Sequence, residues 1–397
     1  EPPVRRRSRA PLWTVLALAL LLVAVVAVQL VRPLPQHTLR LVAEARHTFA
    51  GQSVTLPWPR SGQAALGAGD LGSLGESGNQ VPTPTASVAK VMTAYVFLKD
   101  QPLGAGLPGP SYTISTAEAG RLQWRKNRDE SLVEVTAGES FTQRQALRAL
   151  LQVSASNVAH EIARWDGGER AFVAKMNAAA QALGMTSTTY TDPSGYDAAT
   201  VSTAADQVRL LTAAMRFPAF REVVAEKTFT DPTGQDVRPN SNALLGSDGV
   251  VGGKTGYTDR AGGTYVFASR QQGVLLYGAV LNQPPGQGAA PAIEAARQLI
   301  QGAARTISTV TVAGKGDVVA RLDDGLGGLT PLVADRPVVV AGWPGMTVRL
   351  RLTGKVPAHP AAGERLGLID TGAGRFGVTL PRDPGDPPLL ARLIRVT

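Results

Sequence analysis

"PTASVAKVMTAY" (residues 84–95) decides how the middle of the chain is read. Pro82 and Pro84 exclude a helix immediately upstream, because proline lacks the amide hydrogen and crowds the preceding turn. Val88, Val91, Met92, Tyr95 and Leu98 then recur at helical spacing, so a helix begins near Ser87. Its first turn sets a hydroxyl, Ser87, three residues before an amine, Lys90, on one face. A serine at a helix start also reads as an N-cap, and a lysine as a solvated surface residue. The rest of the chain separates the two readings.

A chain of 397 residues, 44% of them hydrophobic, can bury substantial cores and suggests two or three domains. It has no cysteine, which excludes disulfides, thiolate nucleophiles and thiolate metal sites. The four histidines (His37, His47, His160 and His359) are scattered without metal spacing, and His160 reads as an ordinary helix residue. A Ser-His-Asp triad has poor raw material here. The net charge is +9, but the basic residues are mostly single arginines with no aromatic interleaving, which argues against nucleic acid as a partner. A basic exterior suits a polyanionic surface such as a cell wall or a membrane.

The one dense basic cluster, Arg5, Arg6, Arg7 and Arg9, precedes "APLWTVLALALLLVAVVAVQLV" (residues 10–31), which is uncharged and long enough to cross a bilayer. Trp13 sits near the arginine end, where interfacial aromatics belong. Residues 1–9 therefore read as a cytoplasmic basic tail and 10–31 as a single-pass anchor, with the remainder outside the cytoplasm. The competing reading is a cleaved signal peptide. The run is longer than a usual signal core, and no clear A-x-A site follows it.

Residues 32–50 read as a linker with a first strand near its end. "GQAALGAGDLGSLGES" (62–77) has short apolar pieces broken by glycine, as in a β-hairpin. Residues 105–135 read as irregular. Thr142 and Gln145 form a capping-box pattern ahead of a helix with Ala146, Leu147, Leu150 and Leu151 on one face. Residues 158–165 and 169–183 look helical too, the second ending at Gly184. Over 250–281 the period changes to adjacent antiparallel strands, and "APAIEAARQLIQGAA" (290–304) is a closing helix. The pattern over 51–305 fits an α/β domain whose antiparallel sheet pairs early and late segments, with a helical lobe between. From Thr306 the chain turns to short β-branched strands, "TVTVAG", "DRPVVVAGW", "TVRLRLTG" and "RFGVTLP", which predict a separate all-β domain over 306–397, a small sandwich.

Two further motifs bear on the opening pair. "LLQVSASNVA" (150–159) places Ser154, Ser156 and Asn157 in a break between two helices. "DGVVGGKTGYTDRAGG" (248–263) places Lys254, Thr255 and Gly256 on a strand. Singly, the first reads as a helix cap and the second as the exposed face of an edge strand. Together and in this order, the three sets resemble the serine penicillin-recognising enzymes, which combine Ser-x-x-Lys, Ser-x-Asn and Lys-Thr-Gly. The stretches "ASVAKVMTAY", "LGMTSTTYTDPSGYD" and "DGVVGGKTGYTDRAGGTY" are most similar to the D-alanyl-D-alanine carboxypeptidases among the low-molecular-mass penicillin-binding proteins. The resemblance covers 51–305 and implies a β-lactamase/transpeptidase-like fold.

The chemistry of the pair can be stated independently. A serine hydroxyl needs a base, and Lys90 is the candidate, provided that its amine is neutral. A free lysine titrates near about 10.4; burial among Val88, Ala89, Val91 and Met92 and a nearby cation such as Lys254 would both lower that. Ser87 at a helix start also meets free amides and the positive dipole end.

The resemblance implies the remaining roles. Ser87 would be acylated by the penultimate D-Ala carbonyl of a peptidoglycan stem peptide, and water would release the product. The amides of Ser87 and Tyr257 would form the oxyanion hole. Ser154 would pass protons to the leaving amine. Lys254 and Thr255 would hold the terminal carboxylate, and Gly256 would keep the strand clear of the substrate. β-Lactams would be covalent inhibitors, and no metal or organic cofactor is implied. At the Ser-x-Asn site, Ser156 stands where the family has asparagine, and an amide follows one residue late at Asn157. Either Ser156 takes the amide position, or the turn slips and Asn157 enters the cleft. Two rivals share the fold. A β-lactamase needs a Glu on a loop, whereas Glu169 reads as the start of a helix. A non-catalytic wall-binding sensor would explain the altered motif.

Overall fold

The computed structural model describes residues 10–51 and 55–394; the arginines at 5–9 lie outside the described residues. The chain divides into two units: Phe49–Ser308 with Ala341–Met346, and a second built from Glu1–Thr48, Thr309–Val340 and Thr347–Thr397.

In the first unit, a five-stranded antiparallel sheet runs in the order Val250–Thr258, Gly262–Gln271, Val274–Gln283, Gln63–Gly67, Ser73–Ser77. Leu281 is registered with Gln63 and Tyr277 with Gly67, so the early hairpin joins the late strands as the sequence suggests. The strand Gly262–Gln271 is buried at its first eight positions, so both faces of the sheet are covered. The helices Ala204–Ala214 and Ala290–Thr306 lie against it. The helical lobe centres on Lys90–Asp100, which packs against Gln143–Gln152, Ser156–Trp165, Glu169–Ala182 and Ala204–Ala214. Its side chains from Lys90 to Leu98 are buried except Tyr95, which leaves no face for solvent.

The Thr142–Gln145 capping box forms as read, with both reciprocal bonds present. Residues 105–135 are less irregular than expected: Ser111–Thr113 pairs with Ser140–Thr142, and two five-residue helices, Thr116–Gly120 and Leu122–Lys126, follow it. Five residues are too few for a helical period to register in sequence.

In the second unit, a six-stranded antiparallel sheet takes the order Thr38–Leu41, Val318–Asp323, Leu329–Ala334, Arg375–Thr379, Arg365–Asp370, Arg351–Thr353. Thr38 is registered with Asp323, and Arg46–Thr48 pairs with Thr347–Arg349. The segment read as a linker, 32–50, thus supplies two strands. These strands are three and four residues long, too short to carry a visible alternation. Ala10–Val31 is one helix, and its stretch Trp13–Val31 is long and apolar enough to cross a membrane, with none of it buried.

Candidate active site

The nucleophile turn is tight before any chemistry is considered. Ala86, fully buried, has φ +48, in the left-handed region that costs a non-glycine residue about 1–2 kcal/mol. A single turn of 3-10 helix, Ala86–Ala89, follows and runs into the Lys90–Asp100 helix. Ser87 and Lys90 therefore sit one turn apart, and Lys90 Nζ lies 2.8 Å from Ser87 Oγ.

Lys90 is completely buried. Its Nζ has two further partners, the Ser194 carbonyl at 2.9 Å and Ser156 Oγ at 3.3 Å. Burial is the main cause that lowers its pKa from 10.5 to about 8, aided by the charge of Arg125 and opposed by Asp192 and Glu130. A neutral amine keeps two hydrogens and one lone pair. The hydrogens can serve Ser194 and Ser156, which leaves the lone pair for the Ser87 hydroxyl.

The strand Val250–Thr258 passes beside this turn. A Cβ on Gly256 would lie 2.8 Å from the Ser87 amide nitrogen and 2.5 Å from Thr264 Oγ1, so only glycine lets the strand come this close. Lys254, next to it, is buried and donates to the Thr255 carbonyl at 2.6 Å. Burial and then the charge of Lys90 hold its pKa well below the usual lysine range. The two buried amines each disfavour the other's charged form, and Arg125 adds to that effect at Lys90. Thr255 Oγ1 donates to Ser241 Oγ at 3.1 Å.

The Ser154–Asn157 motif divides in two. Ser154 has φ +64, and its buried hydroxyl makes no hydrogen bond to Ser87, Lys90 or Lys254. Ser156 begins the next helix and reaches Lys90. Asn157 turns away: its amide donates to the Val133 carbonyl at 2.8 Å and its oxygen accepts from the Val133 amide at 3.3 Å.

Ser87, Lys90, Ser156 and Tyr257 line a cleft of about 1230 Å³, roomy enough for a peptide. Much of its wall comes from residues that motif spacing does not reveal. Arg125, buried, is paired with Glu118 and, at 2.8 Å, with Glu130. Arg128 is stacked between Trp124 and Tyr196, 4.3 and 4.5 Å from their ring centres. His160, on the helix Ser156–Trp165, also lines the cleft and lies 3.0 Å from Glu169 at the start of the next helix. The one local signal for this wall was "TDPSGYD", a turn-former in its composition.

The family model described as D-alanyl-D-alanine carboxypeptidase matches residues 73–285, more than half of the chain. The chain belongs to this family of serine-type peptidases. Among relatives of the carboxypeptidase family, a D-alanyl-D-alanine carboxypeptidase of Mycobacterium tuberculosis is 37% identical over 216 residues, 52% of this chain and 70% of that protein. A D-alanyl-D-alanine endopeptidase of Pseudomonas aeruginosa is 35% identical over 45% of this chain and 57% of its own length. A solved D-alanyl-D-alanine carboxypeptidase of M. tuberculosis superposes with a TM-score of 0.56 at 34% identity, covering 65% of this chain and 95% of that one. The Streptomyces K15 DD-transpeptidase gives 0.55 at 26% identity, covering 64% and 98%. The carboxypeptidase-family match and the two superpositions agree with the fold read from the motifs.

Proposed function

We propose that the protein is a serine D-Ala-D-Ala carboxypeptidase that removes the terminal D-alanine from peptidoglycan stem peptides through an acyl-enzyme. The carrying observation is the fully buried Lys90 amine 2.8 Å from Ser87 Oγ. Neutral Lys90 takes the Ser87 proton as Oγ attacks the penultimate D-Ala carbonyl carbon. The oxyanion faces the backbone amides of Ser87 and Tyr257, where the glycine at 256 lets strand and nucleophile turn approach. As the C–N bond breaks, the departing amine takes a proton, and the unpartnered Ser154 hydroxyl is the relay assigned to it. Water then attacks the ester and restores Ser87. Lys254 and Thr255 receive the terminal carboxylate, whose charge favours the ammonium form of Lys254. Ser156 occupies the amide position of the altered motif, supported by its contact with Lys90, while Asn157 serves the fold.

The Ala10–Val31 helix is assigned as a single-pass anchor, with Arg5–Arg9 cytoplasmic and the catalytic unit on the other side. The units are assigned as a catalytic domain within 51–305 and a β-rich domain within 306–397, the latter completed by the strands before residue 49.

A labelled penicillin and a synthetic peptide ending in D-Ala-D-Ala test the reading. The unmodified chain should form a long-lived adduct and release D-alanine, and Ser87→Ala should do neither, because no other group forms the acyl-enzyme. Labelling of Ser87→Ala would refute the nucleophile assignment. Rapid turnover of the drug would favour a β-lactamase, and an unmodified chain inert in both assays would favour the sensor.

A further inference from the structure

Lys90 is held from one side by a turn that the three motifs leave out. Its Nζ donates to the Ser194 carbonyl, and Thr93, further along the same helix, donates to the Pro193 carbonyl at 2.5 Å. That turn is built on one carboxylate. Asp192 Oδ2 accepts from the Ser194 amide at 3.1 Å, the Ser194 hydroxyl at 2.6 Å and the Tyr196 amide at 3.1 Å. Its Oδ1 accepts from the Thr200 hydroxyl at 2.7 Å. With the Ser194 hydroxyl committed to Asp192, the Ser194 carbonyl is the group turned to the amine.

The turn is also pressed onto the nucleophile's backbone. Gly195 has φ +77, and a Cβ there would lie 1.9 Å from the Ala86 carbonyl oxygen, one residue before Ser87. The 192–196 turn therefore touches the segment that carries Ser87 and the amine that activates it.

We propose that Asp192 is a positioning residue for the base: its carboxylate folds the 192–196 turn and, through the Ser194 carbonyl, holds the Lys90 amine against Ser87. The proposal rests on the reading of Lys90 as the base. Asp192 acts in two separable ways, by hydrogen bonds to the turn and by charge across the cleft. The charged groups facing Lys90 are Asp192 and Glu130, which favour its ammonium form, and Arg125, which opposes it; Lys254 approaches on the strand.

The test is the pH dependence of acylation by labelled penicillin, measured on the full chain. In Asp192→Asn the amide oxygen can take over the three Oδ2 bonds, and only the Thr200 bond is lost, because the Thr200 hydroxyl oxygen already accepts from the Thr191 and Asp192 amides. The charge is gone while the turn remains. The acid limb should move down by about one pH unit, with the alkaline plateau lowered by less than about tenfold. In Asp192→Ala the turn loses four bonds, and the plateau should fall by about a hundredfold as the amine is misplaced. An Asn variant whose limb coincides with the unmodified chain's, or an Ala variant that acylates at full rate, would overturn the proposal. Should the Ala variant fail to melt cooperatively, the plateau of Asp192→Glu, which keeps the charge but displaces the carboxylate from the turn, decides: a full rate there would overturn the proposal. A separate result, an unmodified chain with no limb near pH 8 and a Lys90→Ala variant that acylates normally, would refute the base itself.

Discussion

Lys90 has three partners, Ser87, Ser156 and Ser194, and their number matters because an ammonium can donate to all three whereas the neutral amine cannot. Only the neutral form accepts the Ser87 proton. Acylation should therefore rise with pH through an apparent pKa of about 8 and level off above it, as read from rates with a labelled penicillin. A limb at the ordinary lysine value would mean that burial does not act on this group. Position 156 gives a second residue-level prediction. Ser156 offers one contact to Lys90 where an amide would offer two hydrogen-bonding groups. Ser156→Asn should raise D-Ala release by about 5- to 150-fold, the rate equivalent of about 1–3 kcal/mol. Asn157→Ala should instead cost stability, about 2–4 kcal/mol for its two buried bonds to Val133, with turnover changed far less. An inert Ser156→Asn together with an inactive, well-folded Asn157→Ala would show that the motif is in the slipped register.

Elements bring these residues together, and here the limits of sequence are physical. Ser87 and Lys90 were legible because one helical turn sets both their spacing and their contact. Lys254 was legible as part of a strand and as a cation that disfavours a charged Lys90, whereas the complete burial of both amines is a property of packing. Asp192 and Ser194 were not assigned at all. Ser194 meets Lys90 across 104 residues, and a turn's composition says that the chain bends, not what the bend touches. The strand meets the nucleophile turn at Gly256, whose absent side chain admits it to within reach of the Ser87 and Val88 amides. Gly256→Ala would need room from backbone on one side and Thr264 on the other. It should lower acylation by about a hundredfold or more while the protein still melts cooperatively, a pair of measurements that separates a displaced strand from an unfolded one. Full acylation by this variant would refute the role given to the strand.

For the molecule as a whole, the first-unit fold followed from the sequence because its hairpin and late strands have readable periods. The second unit's use of residues 38–48 did not, because those strands are short and their partners distant. The full chain should fractionate with membranes, and a chain beginning at His37 should be soluble and still capture penicillin, since the cut spares the strand Thr38–Leu41. A shortened chain that remains in the membrane pellet would show that the Ala10–Val31 helix is not the anchor. The pairing of Thr38 with Asp323 also imposes an order of events during synthesis. The catalytic unit lies between the two, so the early strand leaves the ribosome long before its partner exists and waits, at about 5–20 residues per second, for roughly tens of seconds. For that interval it is an unpaired edge next to a hydrophobic helix, open to pairing with another chain. The catalytic unit can fold in the meantime, and the second sheet closes last, at the end of translation.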